Sequence, residues 1–242
     1  MVADKESYSQ HISHKFNEEL NELKNHLMVM GGLVEQQVAD AIEALMEGDT
    51  EKAMEVRRRD KEVDKLELTI DDEAVHVIAR RQPAASDLRL VMSVVKMVAD
   101  LERIGDEAKK IAKLTIEMGD DVRSNRRSFV EVRNIALHVR SMIRDALDAF
   151  TRLDTAQALA VMREDDDVDE EYKSATRALM THMMEDPRSI SGCLNQMWVL
   201  RSLERVGDHA DNLAEHVIFM VEGTDVRHTS VEEIEKVVGK KR

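Results

Sequence analysis

Only two prolines, Pro83 and Pro187, interrupt 242 residues, and proline is the residue that a helix interior tolerates least. Between His14 and Glu222 almost every stretch carries apolar residues at helical spacing. The pattern predicts a first helix over about Ser13 to Glu47, stopped at Gly48. Asp49 can cap a second helix running to about Gln82. Pro83 opens a third helix that reaches about Met118. A second set follows near 126–153, 155–186 and 188–222, with Asp186 as a natural N-cap beside Pro187. The two prolines therefore sit at corresponding junctions. With 3% aromatic residues and 15 Met, the composition suits an all-α chain of six long helices forming two duplicated three-helix bundles.

Two pairs of segments carry the duplication. "LERIGDEAKKIA" from Leu101 returns as "LERVGDHADNLA" from Leu203, with seven of twelve positions identical. "DKEVDKLE" from Asp60 aligns with "DDDVDEEY" from Asp165, placing Asp60 on Asp165 and Asp64 on Asp169. The repeat is domain-sized, far longer than the units of a solenoid.

These segments bring acids onto apolar stripes. On a helical wheel Leu88, Val91, Val95 and Val98 share a face with Glu102 and Asp106. In the sixth helix Ile190, Cys193, Met197 and Leu200 lead in the same way to Glu204 and Asp208, with Asn212 one turn further. Helices two and five add Asp60 and Asp64, and Asp165 and Asp169, beside stripes of Val56, Val63, Ile70 and Val77 or Val161, Val168 and Ala175. An i, i+4 pair of acids on a charged helix is ordinarily a solvated face. Alignment with a buried stripe, in both copies, sets these pairs apart. Four carboxylates brought together repel unless a cation lies between them, and an all-oxygen site suits a hard ion. Arg103 and Arg205 read as partners of neighbouring acids, and His76 and His209 as surface or core histidines rather than ligands.

Several function classes drop out. A net charge of −14 leaves no basic stripe for nucleic acid. One cysteine, Cys193, provides neither a disulfide framework nor a thiolate metal site. The N-terminus is polar, and no apolar run approaches the roughly 20 residues that span a bilayer. A soluble cytoplasmic protein is expected. No catalytic constellation or nucleotide-binding fingerprint is present.

At "DLERIGDEAKKIA" and "SLERVGDHADNLAE", with "RRQPAASDLR" and "RDKEVDKLE", the chain resembles the PhoU family over roughly residues 10–222. The resemblance implies one three-helix repeat over 10–122 and a second over 123–222; the C-terminal tail over 223–242 lies outside it, and its "SVEEIEKVV" is either a short helix or a mobile tail. It also implies a cytoplasmic negative regulator of phosphate uptake and of the phosphate-starvation regulon, without enzymatic activity. The implied partners are the ATP-binding subunit of the phosphate ABC transporter and the membrane sensor histidine kinase of the regulon. A homodimer and only indirect membrane association go with them.

The family's E(D)xxxD metal motifs fall on Glu102/Asp106 and Glu204/Asp208, joined by Asp60/Asp64 and Asp165/Asp169. The implied ion is divalent or ferric: Mg, Mn, Fe or Zn. The longer form ExxxDxxxN is complete only at Asn212, because Lys110 occupies that place in the first copy. An ammonium there would weaken or replace a cation. Two other classes stay open: a carboxylate-rich metal-dependent helical enzyme, and an acidic helical scaffold without metal.

Overall fold

The computed structural model describes the backbone of residues 3–119 and 130–239, and side chains from His14 onward. Among the described residues there are seven α-helices and no strand. They are α1 (Ala3–Glu47), α2 (Thr50–Arg81), α3 (Ala85–Met118), α4 (Val130–Arg152), α5 (Thr155–Glu185), α6 (Ile190–Glu222) and α7 (Val231–Val238). The six long helices match the expected plan, and the tail supplies the seventh. The expected start of the fourth helix near residue 126 lies outside the described residues.

The turns show the duplication in backbone detail. The Asp49 carboxylate accepts from the amides of Glu51 (3.0 Å) and Lys52 (2.9 Å). Asp154 does the same for Ala156 (2.9 Å) and Gln157 (3.0 Å), so each satisfies two amides that a helix start leaves open. The residue before each cap is left-handed: Gly48 at φ 66° and Leu153 at φ 56°. Glycine is at home there and leucine is not. The proline junctions differ. Pro187 opens a 3₁₀ turn, Pro187–Ser189, with Asp186 accepting from the Arg188 amide at 3.0 Å. Pro83 does not open α3; left-handed Gln82 closes α2, and α3 begins at Ala85.

Helices α1, α2 and α3 pack on one another, as do α4, α5 and α6. The predicted stripes are buried: Val56, Val63, Ile70 and Val77 on α2, and Val161, Val168 and Ala175 on α5. Leu101, Ile104, Ala108 and Ile111 on the far side of α3 are buried as well, so that helix packs on more than one face. One apolar core runs through both sets of three. The sets meet along α3 and α6, which lie antiparallel. The Arg89 guanidinium donates to the Met220 carbonyl at 3.3 Å, and the Ser93 hydroxyl donates to the His216 carbonyl at 3.3 Å. Further along, the Arg205 guanidinium meets Glu107 at 3.1 Å. Short α7 is held by fully buried Ile234 and an ion pair of Glu235 with Arg163 on α5.

Leu153 is about half exposed, so its strain is offset by little burial. Leu153→Gly should raise stability by about 1 kcal/mol, a rise of roughly 2–4 °C in melting temperature for a chain of this size. A lower melting temperature would show that Leu153 packing outweighs its backbone strain.

Candidate metal centre

Each acidic site lies where the second helix of a repeat crosses the third. In the first, Asp60 of α2 is buried. Its Oδ1 accepts from Gln37 Nε2 at 3.1 Å, and the same amide reaches the Gly105 carbonyl at 3.4 Å. Lys109 of α3 forms an ion pair with Asp60 and lies 3.4 Å from Asp106. Arg103 stands 3.4 Å from Glu102 and 3.8 Å from Asp106. Burial, then the Asp106 charge, raises the Glu102 carboxyl. Burial, then Asp71 and Asp64, raises Glu67. Asp64 itself is exposed. This cluster therefore carries two cations of its own, one of them paired with its most buried acid.

The second site is different. One carboxylate oxygen each from Asp169, Glu204 and Asp208 lies within 4.8 Å of the other two. Among the described residues this is the group of ligand-type side chains close enough together to share an ion. Arg201 pairs with Glu204, yet Glu204 Oε2 is buried without a hydrogen-bond partner. Burial and the charges of Asp208, Asp169, Asp166 and Glu204 push Asp165 up to about 7. Asp211, one turn beyond Asp208, is pushed up to about 8 by burial, then by Asp165, Glu215 and Asp208. Its Oδ1 is likewise buried and unpartnered.

Lys173 stands 3.6 Å from Asp169 and Arg201 pairs with Glu204, so the second site also has cations nearby, but one position on the third helix of each repeat differs in sign. Lys109 stands seven residues after Glu102, and Asp211 stands seven after Glu204. At 100° per residue both return to within about 20° of the glutamate. The same helix position thus carries an ammonium in the first site and a further carboxylate in the second. The sequence motif points instead to the next position along, Lys110 and Asn212. Lys110 does not neutralise the first cluster: its Nζ donates to Glu107 at 2.9 Å. The structure does not turn Asn212 toward the second cluster either, since its amide donates to Asp100 of α3 at 3.0 Å. Both lie about 80° from their glutamate, on the seam between α3 and α6.

That seam holds a polar knot. Asp100 accepts from Asn212, from His209 Nδ1 at 2.9 Å and from His216 Nε2 at 3.1 Å. Burial works to raise the Asp100 carboxyl, but these hydrogen bonds outweigh it and bring it down to about 2. His209 is thereby committed to the seam, as a core rather than a ligand histidine.

The second cluster suits a hard cation. Its donors are all carboxylate oxygens, and metal–oxygen distances of about 2.0–2.6 Å span oxygens about 4–5 Å apart. The buried oxygens of Glu204 and Asp211 lack the partners that buried acids require. Zinc, which favours nitrogen and sulfur, fits this donor set least.

A helical, two-repeat protein with carboxylate clusters at matching helix crossings defines a class, and the comparisons place the chain within it. The sequence model of the PhoU domain matches residues 27–115 and 132–217. The phosphate-specific transport system accessory protein PhoU homolog of Pseudomonas putida is 56% identical over 227 residues, covering 94% of this chain and 88% of that protein. The crystal structure of PhoU from Pseudomonas aeruginosa superposes with a TM-score of 0.83 at 54% identity, covering 86% of this chain and 100% of that one. A phosphate transport system regulatory protein PhoU from Streptococcus pneumoniae superposes with a TM-score of 0.80 at 26% identity, covering 87% and 99%. The chain belongs to the PhoU family. Among the described residues, no helix is long and apolar enough to cross a membrane.

The site generates two tests. Asp165 and Asp211 hold protons to about 7 and about 8 in the folded protein, whereas unfolded aspartates lose them near 4. Between those limits the folded state binds more protons, so stability of metal-stripped protein should fall as pH rises from about 4 to about 8. Asp211→Asn should flatten that fall; an unchanged slope would remove Asp211 from the account. The glycines supply the second test. A Cβ at Gly105 would meet its neighbours at 3.5 Å or more, but one at Gly207 would stand 3.1 Å from Asp165 Oδ1. Gly105→Ala should therefore gain up to about 1 kcal/mol of helix propensity, and Gly207→Ala should come out less stable than it. Equal gains would mean that Asp165 yields freely.

Proposed function

We propose that this protein is a cytoplasmic negative regulator of phosphate uptake and of the phosphate-starvation regulon. It acts without turnover of its own, through contacts with the ATP-binding subunit of the phosphate ABC transporter and with the regulon's sensor histidine kinase. It does so as a homodimer that meets the membrane only through those partners. Family membership supports the phosphate assignment, since relatives carry the names of an accessory and a regulatory protein of phosphate transport.

The reading includes a hard cation, Mg, Mn or Fe, held in the second site by Asp169, Glu204 and Asp208, with Asp165 and Asp211 beside them. The observation that carries this part is the pair of buried, unpartnered oxygens on Glu204 and Asp211. The ion would add positive charge to that of Arg201 beside Glu204 and Lys173 beside Asp169 and fix α5 against α6. In the first site Asp60, Asp64, Glu102 and Asp106 have Lys109 in that role, so metal there is weaker or absent.

Deleting the gene should derepress phosphate-starvation genes in phosphate-rich medium, read as reporter activity. Unchanged expression would overturn the regulatory reading. Metal analysis of purified protein should show an ion lost on Glu204→Ala plus Asp208→Ala and retained on Glu102→Ala plus Asp106→Ala. Metal-free wild-type protein with an unaltered melting temperature on adding Mg, Mn or Fe would leave an acidic scaffold. Turnover by the metal-loaded protein would make it an enzyme.

A further inference from the structure

The two repeats differ on the outer face of the helix that precedes each acidic site. In the second repeat that face of α5 is covered by α7: Ala156, Leu159 and Arg163 line a groove together with Glu235 and Val238. Arg163 pairs with Glu235, and Ile234 is fully buried. Subtracting the 105-residue offset of Asp165 from Asp60 places Glu51, Met54 and Arg58 of α2 at the equivalent positions. Those three residues also line a groove, completed by Arg57, Lys61 and Lys109, and none of its lining comes from a covering helix. Leu159 is buried in the covered groove, whereas Met54 is 49% exposed in the open one.

We propose that the α2 groove is the seat of an acidic amphipathic helix, about two turns long, contributed by a partner protein. The chain itself shows what such a seat takes. The sequence of α7, Val231–Val238, presents Ile234 to the bundle and carries Glu232, Glu233 and Glu235 against a single Lys236. The α2 groove is more basic than the one that α7 walls. Arg57 replaces Met162 and Lys61 replaces Asp166, and Lys109 reaches in from α3. Four cations thus stand against one acid, Glu51, on a chain of net charge −14. Among the described residues, Arg57 and Lys61 make no ion pair. Arg58 is held by Glu55 in its own helix, where Ala160 leaves Arg163 free to reach α7. An incoming glutamate would therefore take Arg58 from Glu55 in the way that Glu235 takes Arg163.

A second copy's α7 is a poor occupant. That helix is tethered to its own seat by the short segment 223–230, and such a tether favours the intramolecular contact. The acidic helix comes from a different protein.

The probe is a labelled peptide of residues 229–239, added to the full-length protein at low salt and followed by fluorescence anisotropy. It should bind with a dissociation constant on the order of 10–1000 μM, because an isolated helix this short must order as it docks. Arg57→Glu with Lys61→Glu should weaken binding about tenfold or more. Both side chains are exposed, so folding is spared, and circular dichroism checks that. Arg163→Glu should leave binding within about twofold. A peptide with Asp in place of Ile234 should not bind. No binding up to about 1 mM, or equal binding by a scrambled peptide of the same charge, would overturn the proposal. Loss on Arg163→Glu instead would place the peptide in the α7 seat and overturn it too. Self-association abolished both by deleting residues 223–242 and by the Arg57/Lys61 variant would assign the groove to a second copy.

Discussion

Everything that distinguishes the two ends of this molecule is referred to the seam where α3 lies antiparallel on α6. A buried carboxylate is costly unless hydrogen bonds or charges satisfy it, and Asp100 is satisfied by three donors from a single neighbouring helix. His209, Asn212 and His216 lie on one side of α6, so meeting Asp100 with all three fixes both the rotation and the register of α6 on α3. Once that rotation is set, Glu204, Asp208 and Asp211 must face α5. The equivalent seam contact of Glu107 with Arg205 and Lys110 leaves Glu102, Asp106 and Lys109 turned toward α2. The seam thus takes Asp100 and Glu107 from α3, while Glu102 and Asp106, like Glu204 and Asp208, lie off it.

Duplication would have made the two crossings alike, and the position held by Lys109 and Asp211 is one that separates them. Replacing an ammonium by a carboxylate changes local charge by two units, in surroundings where charges interact several times more strongly than in water. At Lys109 the surplus negative charge of the first crossing is met from within. At Asp211 it is increased, and burial together with the neighbouring charges raises the carboxyls of Asp165 and Asp211. Gly207 is also packed more tightly than Gly105, since Asp165 stands closer to the α6 backbone than Asp60 does to that of α3.

The fold was legible because helical periodicity persists over long stretches and two prolines mark matching places. The buried stripes of α2 and α5 and the caps at Asp49 and Asp186 follow from residue type alone. Three features did not. Leu153 adopts a left-handed turn conformation that its side chain disfavours, so only its match with Gly48 reveals it. Gln82, not Pro83, closes the junction before α3, because a proline two residues upstream of a helix looks in sequence like one at its first turn. The tail folds as α7 because Ile234 finds a seat on α5, and eight residues have too little propensity to be read as a helix on their own. At the acidic sites the wheel sets the acids beside apolar stripes; in the structure Asp60 and Glu204 are buried, Glu102, Asp106, Asp165 and Asp169 are half-buried, and Asp64 and Asp208 are exposed. Lys110 and Asn212 stand one residue beyond Lys109 and Asp211, and those 100° carry a side chain from the α2 or α5 side onto the seam.

The outer faces repeat the same lesson in reverse sign. Inside, the first repeat has gained a cation and the second an acid. Outside, the second repeat covers its arginine with an acidic helix, while the first leaves a basic face open. These are not separate adjustments, because Lys109 belongs to both: its ammonium contacts Asp60 and Asp106 on one side and lines the α2 groove on the other. A lysine stem is long enough to span the helix crossing with its charge at the boundary. The residue that pairs with the acids of the first site is therefore also part of what makes its outer surface basic, beside Arg57 and Lys61, which stand where the second repeat has Met162 and Asp166.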